Sequence, residues 1–268
     1  MRFALINSGL GLLAAASELH KLRPDADLVI AMDPDGMPWG PRTPEEIAER
    51  SLLITRAAAD YQPDVIVMAC NTGSVHALQA LRSEFEPRIP VVGTVPAIKP
   101  AAAVASSVAI WATVATTASE YQRRLIDEFG GTATVTPVAC PGLATAIDAG
   151  DEKAIIAAIA DAAERTPDGC GAVVMGCTEY ELAADQIGVA VPGAALFGSA
   201  AAVAAQAMRR AVKSGAAVSS AGDAEPGTLS VLLSGRPSAL PPAALQYRQG
   251  RELALLAAGC DPAPEVAV

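Results

Sequence analysis

The sequence predicts an α/β protein made of two similar, pseudo-symmetric parallel-sheet halves that face each other across a central cleft. Three observations carry this prediction. Short apolar runs recur along the chain, each followed by a longer stretch rich in alanine and leucine, which is the strand–helix rhythm of a mostly parallel sheet. The run VIVMACNT at 65–72 is echoed by AVVMGCT at 172–178, and FALI at 3–6 by VAIW at 108–111, at nearly the same offset. Two such echoes point to a duplicated unit. Finally, 268 residues are enough for two compact domains, each with its own core.

Taken in order, the strands are expected at 2–6, 28–32, 64–69, 90–93, 108–112, 134–138, 171–175 and 188–191, where β-branched and aliphatic residues cluster. Helices are expected at 10–22, 44–60, 74–85, 119–129, 152–164, 180–186 and 197–213. Pro44 followed by Glu45 and Glu46 suits a helix start, because proline fits the first turn and acids favour that end. Gly130-Gly131 suits a helix stop. Residues 214–228, rich in Ser, Gly and Ala, read as a linker, and Leu229–Leu233 as a strand that returns. The tail after Cys260 is Pro- and Ala-rich and is expected to fray. The expected division is a first half at 1–95, a second at 96–208, and a C-terminal segment at 209–268 that rejoins the first.

Composition narrows the function. The chain carries 19 Lys and Arg against 29 Asp and Glu, a net charge of −10. Neither nucleic acid nor an anionic membrane is an expected partner for so acidic a surface. Mean hydropathy is +0.34, much of it from alanine, and no stretch reads as a membrane span or a secretory leader. Five cysteines in a long chain, none in a CxxC pair, fit a reducing cytoplasm and no structural zinc.

Two patterns could carry chemistry. Gly9-Leu10-Gly11-Leu12-Leu13-Ala14 follows the first strand as G-x-G-x-x-A, and Asp33 ends the second where a dinucleotide fold places its ribose-binding acid. This allows a nicotinamide-dependent oxidoreductase as an alternative; the plainer reading is a tight strand-to-helix turn. The sharper signal is Cys70 and Cys177. Each stands at the C-terminal end of an apolar strand and before a helix, the edge at which open α/β sheets bind ligands. Nearby N–H groups are expected to favour their thiolates. A facing pair of thiols suits α-proton transfer at a stereocentre, one removing the proton and the other returning one to the opposite face. Ser8, Asn71, Thr72, Thr113, Thr116, Thr117 and Thr178 could orient a carboxylate and the carbanion that develops.

The chain resembles the cofactor-independent aspartate/glutamate racemase superfamily, most of all its glutamate racemases. The resemblance rests on NSG at 7–9 (DSG in the family), PWG at 38–40 (PYG), ACNTGS at 69–74 (ACNTAS), ATVATTAS at 112–119, ACPGL at 139–143 and GCTEY at 176–180 (GCTHY). These landmarks fall in family order over most of the first 200 residues. The resemblance implies proton transfer by Cys70 and Cys177. It also implies substrate contacts from Asn7 and Ser8, Trp39 and Gly40, Asn71 and Thr72, Thr113, Thr116 or Thr117, and Thr178. It implies an amino-acid substrate (glutamate before aspartate) with no pyridoxal phosphate or metal, and it admits a homodimer.

Two departures matter. Asn7 replaces an acid and cannot titrate near neutrality. Glu179 replaces a histidine and sets a negative charge beside Cys177, favouring a thiol poised as an acid. Glu179 also matches aspartate-racemase relatives, and together the substitutions leave open a non-catalytic amino-acid-binding relative. His76 and His20 read as packing or surface residues, Cys140 as a non-catalytic residue that could line the cleft, Cys170 and Cys260 as structural or incidental, and the Arg pairs 123–124 and 209–210 as solvated helix faces.

Overall fold

A computed structural model describes residues 1–216 and 225–257. Two sheets organise it. The first has the order β10-β9-β2-β1-β3-β4: β1 Arg2–Ile6, β2 Asp27–Met32, β3 Val65–Met68, β4 Val91–Val92, β9 Leu229–Leu233 and β10 Arg236–Ser238. The second has the order β6-β5-β7-β8: β5 Ser107–Ala112, β6 Thr134–Ala139, β7 Ala172–Met175 and β8 Ala195–Phe197. Every ladder is parallel except the β9–β10 hairpin. Four strands of the first sheet, β2-β1-β3-β4, therefore repeat the order β6-β5-β7-β8 of the second, and this is the pseudo-symmetry the echoes predicted. Cys70 follows the third strand of one half and Cys177 the third strand of the other.

The helices follow from capping and from buried spacing. In α1 (Leu12–Leu22) the whole stretch Leu12 to Ser17, with Leu19, is buried, so this helix is enclosed rather than laid on a surface. The helix α2 (Pro44–Ala59) opens on a capping box, with the Thr43 side chain accepting from Glu46 N and the Glu46 carboxylate accepting from Thr43 N. The expected helix over 74–85 is two, α3 (Asn71–His76) and α4 (Leu78–Phe85), separated at Ala77. The expected 119–129 helix is α7 (Glu120–Phe129), preceded by the short α6 (Val114–Ala118). Beside α6, three further α-helices among the described residues were not foreseen: α5 (Ile98–Val104), α8 (Leu143–Ala149) and, near the C-terminus, α12 (Arg248–Ala257). The expected α9 (Glu152–Glu164) matches.

One strand expectation is overturned. Residues 188–191 do not form a strand; α10 (Ala184–Ala190) runs through most of them, and β8 lies further on. Ala183, Ile187 and Val191 are buried while Val189 is 82% exposed. That i, i+4, i+8 spacing is helical, so the apolar run was assigned the wrong period. The segment before it, Thr178–Ala183, is a 3₁₀ helix.

Helix α11 (Ala200–Lys213) packs against α1, β3 and β4, which puts it on the first sheet. Leu229–Leu233 returns as β9 beside β2, and α12 packs against α1 and β9. Each sheet has its own core on one face: Ile6, Ile54, Ile66 and Leu81 for the first, and Ile98, Val108, Ile110 and Val174 for the second. A larger core joins the two through Leu12, Leu13, Trp111, Ile147 and Tyr180. Among the described residues no helix is long and apolar enough to cross a membrane.

Candidate active site

The C-terminal ends of β1, β3, β5 and β7 converge on one cavity of about 410 Å³ between the halves. Both Cys70 and Cys177 line it. In the Cys70 loop the chain turns from β3 into α3 with the thiol at the helix cap, where Sγ accepts from Gly73 N at 3.4 Å. Cys177 Sγ instead donates to Glu179 Oε2 at 2.8 Å.

The expected stabilisation of the thiolates is overturned. Burial pushes the Cys70 thiol up to about 12; the charge of Glu179 adds to this, and backbone N–H groups of Gly73, Ser8 and Thr72 only partly offset it. Burial raises the Cys177 thiol well above its usual range too, again helped by Glu179. Desolvation of the buried thiols outweighs a short helix's N–H groups. Glu179 does act on Cys177 as its charge suggested, by holding the thiol as a hydrogen-bond donor.

Of the other candidate residues, Ser8, Trp39, Gly40, Asn71, Thr72, Thr113, Thr116 and Glu179 line the cavity. Both side-chain amide atoms of Asn71 are buried with no hydrogen-bond partner among the described residues. Buried polar atoms are rarely left so, and a ligand in the cavity would satisfy them. Thr113 caps α6 and donates to Thr116 Oγ1 at 3.0 Å, so these two hydroxyls are held as a pair.

Asn7, Thr178 and Thr117 are not on the cavity wall. Asn7 is wholly buried behind it: Nδ2 donates to Ala69 O at 2.8 Å and to Thr178 Oγ1 at 3.2 Å, and Oδ1 accepts from Ser8 N at 2.7 Å. Thr178 Oγ1 lies 3.3 Å from Glu179 Oε2. Asn7 thus ties the Cys70 strand to the Cys177 loop, a job its two-sided amide performs without titrating.

Sequence reasoning missed Asp148. It lies on α8, lines the cavity, and accepts from Leu10 N at 2.7 Å. Burial and then the charge of Glu179 raise it well above the usual carboxylate range. Cys140 lines the cavity, its thiol raised to about 12 by burial, while Cys170 lies partly buried at the edge of the core and Cys260 lies outside the described residues. His76 is exposed at the end of α3.

The glycine turn has another use. A side chain on Gly9 would collide with the Asp148 carboxylate, and one on Gly11 with Thr178, Asn7 and Glu179. The space a pyrophosphate would need is filled by the second half, and Asp33 is wholly buried in hydrogen bonds to Arg50, Trp39 and Ser234. The nicotinamide reading is therefore set aside. Among the described residues no group of three His, Cys, Asp or Glu is placed to hold a metal ion.

Two half-sites of like topology, each offering a thiol to one cavity, define an isomerase of the two-base class. The comparisons carry this to a family. The sequence model of Asp/Glu/Hydantoin racemase matches residues 7–207. Glutamate racemase of Herpetosiphon aurantiacus is 38% identical over 76% of this chain and 82% of its own, and that of Sphingopyxis alaskensis 37% over 68% and 70%. Escherichia coli glutamate racemase, solved with L-glutamate and the activator UDP-MurNAc-ala, is similar at a TM-score of 0.77 and 28% identity, with 91% of each chain covered. The chain belongs to the Asp/Glu/hydantoin racemase family.

Proposed function

We propose that the protein is a cofactor-independent amino-acid racemase, with glutamate as first substrate and aspartate as second. The observation that carries this reading is the convergence of Cys70 and Cys177, from equivalent strand ends, on one cavity. From one enantiomer, Cys70 as thiolate removes the α-proton and the Cys177 thiol delivers one to the other face; from the opposite enantiomer the roles exchange. Both thiols are held protonated by burial and by Glu179. A substrate ammonium seated near Asp148 and Glu179 would offset that charge and bring a thiolate within reach. Ser8, Asn71, Thr72, Thr113 and Thr116 would hold the carboxylates and the developing carbanion, with the unpartnered Asn71 amide first among them. Asn7 and Thr178 act from behind, as supports for Ser8 and Glu179, and Thr117 drops from the substrate contacts. The acid after the Cys-Thr pair is the feature that keeps aspartate in view. The cytoplasm and a homodimer, both expected from the sequence, accompany this reading.

Single enantiomers of glutamate and aspartate, incubated in deuterated water without added cofactor, test it. Wild type should racemise one of them with deuterium entering at Cα, and Cys70→Ala and Cys177→Ala should each abolish racemisation. Full racemisation by either variant defeats the assignment. Binding without any exchange at Cα would leave an amino-acid-binding relative instead.

A further inference from the structure

Asp33 is a wholly buried carboxylate that the proton-transfer chemistry does not use. It directly follows β2, and four parts of the chain meet on it. Trp39 Nε1 donates to Oδ2 at 3.0 Å and Arg50 Nε to the same oxygen at 2.8 Å; Ser234 Oγ donates to Oδ1 at 3.1 Å, and Arg50 Nη2 also reaches Oδ1. Its backbone N–H donates to Ser8 O at 3.0 Å. Burial alone would raise this carboxyl, but the hydrogen bonds and the Arg50 charge outweigh it and hold it below its usual range.

Each partner comes from a different place. Trp39 lines the cavity, Arg50 lies on α2, and Ser234 sits in the turn of the β9–β10 hairpin at a φ of +48°. Ser234 Oγ also accepts from Asp35 N at 3.0 Å, and Ser234 N donates to Met32 O at 2.7 Å, so the turn is bound on both sides. On its far side the Trp39 ring abuts Gly73, where an added Cβ would meet Cζ3 at 3.1 Å. Gly73 N is the donor to the Cys70 thiol. A chain of contacts thus runs from the C-terminal hairpin through Asp33 and the indole to the Cys70 loop.

We propose that Asp33 is a positioning residue that fixes the Trp39 ring as the cavity wall and ties it to the β9–β10 hairpin, so that substrate affinity depends on Ser234, which does not touch the cavity. The inference rests on reading the cavity as the substrate site. An indole N–H bonded to a buried carboxylate has one favoured orientation; with a looser Asp33 the ring gains rotamers that a bound substrate must then exclude.

The test uses the full chain. Ser234→Ala should raise KM for the racemised amino acid about fivefold, the loss expected of one hydrogen bond, with kcat unchanged. In a Trp39→Phe background, which already lacks the indole N–H, Ser234→Ala should add nothing, because the two act through one contact. The second reading is spectroscopic. The chain has two tryptophans, so Trp111→Phe leaves Trp39 alone, and Asp33→Asn or Ser234→Ala should then change its emission, with Asp33→Asn shifting it to the blue. An unchanged KM in folded Ser234→Ala, or an equal rise in both backgrounds, overturns the proposal. If neither amino acid is racemised the racemase reading fails, and the Trp39 emission still decides this one: no change on Ser234→Ala overturns it.

Discussion

Glu179 and Asp148 bring two carboxyl groups to a cavity that also holds two thiols, and the effects of Asp148 on stability and on chemistry run in opposite directions. Asp148 is raised well above its usual value by burial and by Glu179. Folding therefore favours its protonated form. The stability it carries is fully present below its unfolded value of about 3.9 and is lost as pH rises through the raised folded value. Asp148→Asn keeps an oxygen to accept from Leu10 N and removes this penalty. We expect its melting temperature to equal or exceed the parent's at neutral pH, while kcat/KM falls about 100-fold, as for loss of a group that positions the substrate ammonium. Calorimetry beside a racemisation assay reads both; a variant as active as the parent would remove Asp148 from the site. Cys70 and Cys177 were legible in the sequence because a strand end followed by polar residues marks a ligand-binding edge. Asp148 was not, because nothing in ATAIDAG separates a cavity acid from a solvated one. Asn7 was legible as a site residue, but its place behind the wall depends on the other half's Thr178.

The start of α2 was legible because its cap is written in the sequence. The Thr43 box and Pro44 fix the start of α2, which carries Arg50 to Asp33. Thr43→Ala should cost about 1 kcal/mol in urea unfolding and leave KM unchanged, since Arg50 sits two turns inside the helix. A shift in KM would mean that the first turn controls the Asp33 cluster. The missed helix α8 did have signals. Gly142 and Gly150 bracket it at φ +75° and +66°, and the buried Leu143, Ala146 and Ile147 follow the i, i+3, i+4 spacing. At seven residues it is too short for its spacing to stand out in so alanine-rich a chain. Around α10 the valines at 189 and 191 suggest a strand, whereas the buried Ala183, Ile187 and Val191 follow a helical spacing.

Across the whole molecule, strand order and the placing of the thiols were readable because a duplicated unit states its plan twice. The junction was not, because it forms where a glycine's missing side chain receives an acid from more than a hundred residues away. Gly11→Ala tests that junction. We expect native-like circular dichroism and a kcat/KM about 100-fold lower, the scale of an ångström's misplacement of Glu179; parental activity would show that the halves tolerate a wider gap. The likeness of the halves stops at their thiols, since Cys70 accepts a backbone N–H and Cys177 donates to a carboxylate. For a racemase this inequality has a strict bound. Enantiomers have equal free energy in water, so the equilibrium constant is one and the Haldane relation makes kcat/KM identical in the two directions. However differently the two sulfurs are solvated, the difference can appear only as a higher turnover matched by a weaker apparent affinity for the same enantiomer.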